Sequence, residues 1–144
     1  MRVTQGTFSF LPDLSDAQIR AQLDLAVSRG WSLSVEWTHD AHPRNVYWNM
    51  WGPPRFDLRD ARAVMDDIAA CRAANPGRYV KVNAFDSTRG WETVRLSFLV
   101  QRPDVEPGFR LEREEGPGRT VRYLIRSCAH EPQRTSEDAR REPA

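Results

Sequence analysis

The apolar residues of this chain change period abruptly at Gly30, and that switch constrains the fold more than any other feature. Before it, Ile19, Leu23, Ala26 and Val27 recur at helical spacing. Ser15 reads as an N-cap, and Gln18 three residues later completes a capping box, with Leu14 and Ile19 as a hydrophobic staple. Arg29 suits the negative C-terminal end, and Gly30 supplies the left-handed residue that stops a helix. Immediately after it, Trp31, Leu33, Val35 and Trp37 alternate with Ser32, Ser34, Glu36 and Thr38. That is a strand with one buried and one polar face.

The same order of elements returns further along. A polar loop, His39-Asp40-Ala41-His42-Pro43-Arg44, leads into a β-like run, Asn45-Val46-Tyr47-Trp48-Asn49-Met50-Trp51-Gly52, closed by Pro53-Pro54. Alternation sets Val46, Trp48 and Met50 on one side and Tyr47, Asn49 and Trp51 on the other. Asp57 or Asp60 can cap a second helix with the apolar stripe Ala61, Val64, Met65, Ile68 and Cys71, ended by Asn75-Pro76-Gly77. Two strands follow, from Tyr79 to Phe85 and from Trp91 to Val100, joined by residues 86–90. In the second, Val94, Leu96, Phe98 and Val100 share one face. The expected fold class is α+β: a four-stranded antiparallel sheet with two helices packed on one face, in αββαββ order.

Beyond Pro107-Gly108 the alternation resumes as a C-terminal β-hairpin extension. Pairing Leu111 with Tyr123 and Phe109 with Ile125 across Glu115-Gly116-Pro117-Gly118-Arg119 puts Phe109, Leu111, Val121, Tyr123 and Ile125 on one face. It also sets Glu112 opposite Arg122. A two-stranded hairpin is marginal in water by itself, whereas burying five such side chains is worth on the order of 10 kcal/mol. Either the chain's own body or a partner subunit can cover that face. The chain thus divides into an α+β domain at 1–105, the hairpin at 106–127, and a polar tail at 128–144 expected to be disordered.

Composition excludes several classes of function. With 144 residues and a net charge of +1, the chain is long enough for one self-sufficient core and lacks the basic excess of a nucleic-acid or anionic-membrane binder. No apolar run reaches the length of a membrane span, and the start has no signal-peptide character. Two cysteines, Cys71 and Cys128, make no disulfide framework and suit a reducing cytoplasm. Of 21 basic residues only Lys81 is lysine. Such a bias fits a GC-rich bacterial genome.

Candidate chemistry is sparse. His39, Asp40 and His42 could furnish part of a metal site, as in a small metal-dependent hydrolase, but a catalytic zinc needs a third strong ligand and a base. Cys71 lies on an apolar helix stripe and reads as core. The adjacent carboxylates Asp66-Asp67 and Glu114-Glu115 point apart, and Gly116-Pro117-Gly118 lies in a hairpin turn rather than between strand and helix. Strand aromatics could stack RNA bases, yet no matching motif or charge accompanies them. What stands out is Tyr47, Trp48, Met50 and Trp51 in one short run, the residue types of a protein interface. A free-standing interaction module fits that feature.

At these residues the chain resembles the small subunit of ribulose-1,5-bisphosphate carboxylase/oxygenase (rubisco). The carrying motif is His42-Pro43-Arg44-Asn45-Val46-Tyr47-Trp48-Asn49-Met50-Trp51-Gly52, supported by Tyr79-Val80-Lys81-Val82-Asn83-Ala84-Phe85-Asp86 and Ser97-Phe98-Leu99-Val100-Gln101-Arg102-Pro103. Thr4-Gln5-Gly6-Thr7-Phe8-Ser9-Phe10-Leu11 and Glu106-Pro107-Gly108-Phe109 are similar to the bacterial red-type branch of form I. The resemblance implies a non-catalytic subunit, assembled as eight large plus eight small, that stabilises the enzyme and tunes carboxylation in the Calvin cycle. It places the active site, its Mg²⁺ and its carbamylated lysine on the large subunit, with no cofactor on this chain. It makes Arg44, Tyr47, Trp48, Met50 and Trp51 the expected large-subunit contact. Phe109, Leu111, Val121, Tyr123 and Ile125 become the hairpin contact with other small subunits. Pro53-Pro54-Arg55-Phe56 departs from the family's apolar run at that point, and the segment after Ser127 departs from its usual terminus.

Overall fold

The computed structural model describes residues 13–42 and 44–129. The opening motif, Pro43 and the tail from 130 lie outside the described residues. Helix α1 spans Asp16–Ser28, β1 Ser32–Thr38, β2 Asn49–Met50, α2 Arg62–Ala74, β3 Tyr79–Asp86 and β4 Thr93–Gln101. The last two strands, β5 (Phe109–Glu115) and β6 (Val121–Ser127), are joined through a 3-10 turn at Pro117–Arg119. The four-stranded sheet is antiparallel in the order β2-β1-β3-β4, and β5 and β6 form a second, two-stranded sheet.

The local signals act where the sequence places them. Ser15 caps α1 in a complete capping box, its hydroxyl accepting from the Gln18 N–H and its own N–H donating to the Gln18 side chain. Gly30 ends the helix at φ 72°. At α2 the N-cap is Ala61, which has no side-chain capping bond, rather than Asp57 or Asp60; Asp60, one residue earlier, accepts the Arg62 N–H at 2.8 Å. Asn75 closes that helix by donating to the Cys71 carbonyl.

Both helices bury their stripes on one face of the sheet. Ile19, Leu23 and Ala26 of α1 and Val64, Ile68 and Cys71 of α2 meet Leu33, Val35, Val80, Val82, Ala84, Leu96, Phe98 and Val100. Trp31, Trp37 and Trp51 pack at the margin. The other face carries a smaller cluster of Ala41, Trp48 and Tyr79, with Leu99 and Phe109 against it.

Four expectations are corrected. The strand over 45–52 is only Asn49–Met50, because the Asn45 side chain turns back to bond Asp40 and Thr38. Trp91 is exposed and β4 begins at Thr93, since Asp86 draws in the Thr88 N–H and hydroxyl and lengthens the connection. Val94 does not share the face of Leu96: the register shifts between Ala84 and Phe85, and the extra residue on β4 turns Val94 opposite Phe85. In the hairpin, Leu111 pairs with Ile125 and Phe109 with Ser127, two residues from the expected register. The turn closes one residue later, by Gly116 N–H to the Thr120 carbonyl at 2.8 Å, with Gly118 and Arg119 both left-handed. A two-residue slip preserves the faces, so Leu111, Val121, Tyr123 and Ile125 remain on one side. Glu112 lies opposite Leu124 and bonds Arg126 instead of Arg122.

Candidate protein interface

The loop between β1 and β2 is knotted by its own side chains. Thr38 Oγ1 accepts from the Asp40 N–H, and Asp40 Oδ1 accepts from the His42 N–H. Asn45 Nδ2 donates to the Asp40 carbonyl at 2.6 Å and to Thr38 Oγ1 at 3.2 Å. The Trp48 indole N–H returns to the Asn45 carbonyl at 3.2 Å. These bonds tie the loop down through its own side chains.

The aromatic run is divided between two tasks. Trp48 is buried against Tyr79, with the Lys81 ammonium 4.3 Å from its ring and paired to Glu36 at 3.2 Å. Trp51 is half-buried at the edge of the helix-side core, its backbone N–H donating to the Val35 carbonyl. Val46, Tyr47 and Met50 project outward with 70%, 89% and 52% of their surface exposed, and Arg44 is exposed beside them. Large apolar side chains exposed side by side are the residue types found at protein interfaces.

Downstream, Arg55 answers the departure at Pro53-Pro54. Its backbone exchanges two hydrogen bonds with Leu33, and its guanidinium grips Asp67 of α2 through two bonds at 2.9 and 3.0 Å. Hydrogen bonding to Asp67, helped by its charge, raises the Arg55 pKa. No buried unpaired charge is created.

The hairpin presents a second surface. Leu111, Tyr123, Ile125 and Val121 are exposed on one face, whereas Phe109 turns in toward Trp48 and Tyr79. On the opposite face Glu112 sits between Arg126 and Arg110, and chiefly the bond from Arg126 holds its carboxyl below the usual carboxylate value. At the hairpin base the Tyr79 hydroxyl donates to Glu106 at 3.0 Å. Burial, then that bond, pushes the phenol well above its ordinary value.

His39, Asp40 and His42 do not assemble a metal site. Asp40 serves the His42 N–H, and His42 uses one ring nitrogen on Arg44 and the other on Ile125. Among the described residues no three His, Cys, Asp or Glu side chains stand together as ligands. Cys71 is buried and desolvation raises its thiol pKa, the setting of an inert core residue. The bridges from His42 to Ile125 and from Tyr79 to Glu106 escape sequence reasoning. Both join positions far apart in the chain, and no local pattern announces them.

Exposed apolar side chains on two parts of a small α+β body fit a subunit that packs against other chains. Residues 5–103 match the family model described as ribulose bisphosphate carboxylase, small chain. The chain is 66% identical to the ribulose bisphosphate carboxylase small subunit of Xanthobacter flavus over 125 residues, 87% of this chain and 94% of that protein. It is 62% identical to that of Cereibacter sphaeroides over 123 residues, 85% of this chain and 95% of that one. The structure of rubisco from Galdieria partita superposes with a TM-score of 0.82 at 51% identity, covering 88% of this chain and 92% of that chain. The chain belongs to the ribulose bisphosphate carboxylase small-chain family. Similarity over 87% of the chain cannot end at residue 103, so it runs on into the hairpin. The chain is accordingly a non-catalytic subunit of a carbon dioxide-fixing carboxylase of the Calvin cycle, whose active site lies on the large subunit. The readings as a hydrolase or a free-standing module find no support.

Proposed function

We propose that eight copies of this chain cap an octamer of large subunits in a bacterial cytoplasm, with Mg²⁺ and the carbamylated lysine held by the large subunit. Tyr47 and Met50 are the direct large-subunit contacts, with Arg44 beside them. Trp48 and Trp51 shape that contact from beneath, being buried and half-buried respectively. Leu111, Val121, Tyr123 and Ile125 meet the hairpins of other small subunits, while Phe109 roots the hairpin in its own body. Rigid packing of this kind keeps the large subunits, and thereby their active-site loops, in productive geometry.

The observation that carries this reading is the one-sided exposure of four apolar residues on a hairpin already docked at its base. Native mass spectrometry of the chain co-expressed with a red-type large subunit, alongside a carboxylation assay, is the test. An active complex of eight plus eight is the expected result. Large-subunit octamers that never retain this chain, with the cognate large subunit and any assembly factor supplied, would overturn it.

A further inference from the structure

The hairpin joins the body at few points, and at one of them two neighbours decide the chemistry of a single side chain. His42 receives the Arg44 backbone N–H on Nδ1 at 3.0 Å. Its Nε2 lies 2.7 Å from the Ile125 carbonyl oxygen. A donor aimed at Nδ1 requires a lone pair there, so the ring proton sits on Nε2 and is donated to the carbonyl. The Phe109 ring meets the imidazole edge-on at 5.6 Å and 83°. Asp40 anchors the His42 backbone N–H at 2.9 Å. One ring nitrogen therefore belongs to the body and the other to the hairpin.

The carbonyl that His42 meets is one the hairpin leaves free. Gly116 N–H bonds the Thr120 carbonyl at the tip, and Cys128 N–H bonds the Gly108 carbonyl at the base. These bonds fix the phase of the ladder, in which hydrogen-bonded and non-hydrogen-bonded pairs alternate. Leu111 and Ile125 fall in a non-hydrogen-bonded pair, so the Ile125 carbonyl points away from β5, along the outer edge of β6. His42 takes nothing from the ladder, and it closes an edge position otherwise open to strand addition.

We propose that His42, as the neutral Nε2–H tautomer, is a positioning residue that clamps the C-terminal hairpin to the α+β body and sets the direction in which the hairpin's apolar face is presented. A two-stranded ribbon is marginal by itself, so a hairpin released from the clamp frays as well as tilts. The clamp is a property of the single chain. Its consequence for assembly rests on the subunit contacts proposed above.

Three full-length chains test it. ¹⁵N-histidine NMR of the wild-type chain is expected to show His42 protonated on Nε2 and bare on Nδ1. His42→Asn keeps an acceptor for the Arg44 N–H and cannot reach Ile125, whereas His42→Gln extends an amide donor to the site of Nε2. Backbone hydrogen exchange in β5 and β6 is expected to speed up about five- to tenfold in His42→Asn, the worth of one net hydrogen bond, with the body strands unchanged. His42→Gln is expected to exchange at the wild-type rate. An Nδ1–H tautomer, native hairpin exchange in His42→Asn, or equal loss in His42→Gln would each overturn the clamp. Should His42→Asn fail to fold, the tautomer of the wild-type chain decides alone. Native mass spectrometry of the co-expressed complex reports assembly separately: a chain with a protected hairpin that never assembles speaks against the contacts and leaves the clamp standing.

Discussion

The 39–48 loop and the 109–127 hairpin both turn apolar side chains outward, but they are mounted differently. The loop is locked by bonds among Thr38, Asp40, His42 and Asn45, all within a few residues of one another. The hairpin has a regular ladder of its own and, among the described residues, meets the body near its base, through Phe109, Ile125 and the segment around Glu106. Local locking yields a rigid surface whose shape survives without its partner. Mounting through long-range contacts yields a surface whose orientation can be lost while the rest of the chain stays folded.

Trp48 is where the two mounts meet, and its removal offers the largest effect. Trp48→Ala is expected to cost about 3–5 kcal/mol in urea unfolding, because a buried ring between Tyr79 and Ala41 leaves a cavity. It should also speed hydrogen exchange in β5 and β6. A cost confined to the body would mean that the hairpin is not seated on that cluster. Trp51→Ala follows, at about 2 kcal/mol, since this ring is half-buried at the core margin. It should weaken both the chain and its assembly, and a purely assembly-level effect in gel filtration would move Trp51 to the outer surface.

Tyr79→Phe probes the hairpin base through pH. The folded chain holds the phenol neutral and raises its pKa, so this contribution is fully present below the ordinary value of about 10 and is lost as pH rises toward the folded value. The wild-type chain should lose stability above about pH 10, and Tyr79→Phe should show a flatter profile there. Near neutrality its cost is about 1 kcal/mol, one buried hydrogen bond. Parallel alkaline profiles for the two chains would show that the Tyr79 phenol is not held neutral by burial and by Glu106. Smallest of all for the isolated chain are Tyr47→Ala and Leu111→Ser, each expected within about 0.5 kcal/mol of wild type in urea unfolding. Both should reduce the yield of the full complex, so normal assembly would show that these exposed residues are not contacts.

Much of this was legible in the chain. The capping box at Ser15, the glycine stop and the stripe of α2 depend on neighbours within one or two turns, and the structure reproduces them. The strand from Trp31 to Trp37 forms as its alternation predicts, but its polar face is covered too, with Ser32, Ser34 and Thr38 buried, because the loops and strands that cover it lie far along the chain. The strand around Trp48 was overestimated because three large β-formers outweighed Asn45, whose side chain competes for the backbone. The hairpin faces were correct while its register was not, since a two-residue slip leaves every side chain on its own side. Val94 went astray for the complementary reason: one extra residue in a strand reverses a face, and nothing in the alternation marks where it enters.

Element order, the two helical stripes, the strands that carry the sheet's core residues and, through its motifs, the family are all written in the sequence. Only the tertiary structure decided that Trp48 supports while Tyr47 projects, that Arg55 is answered by Asp67, and that His42 holds the hairpin rather than a metal. The physical reason is range. Caps and periodicity are written in residues a few places apart, whereas the partner of His42 lies 83 positions along the chain and is chosen by where two sheets meet.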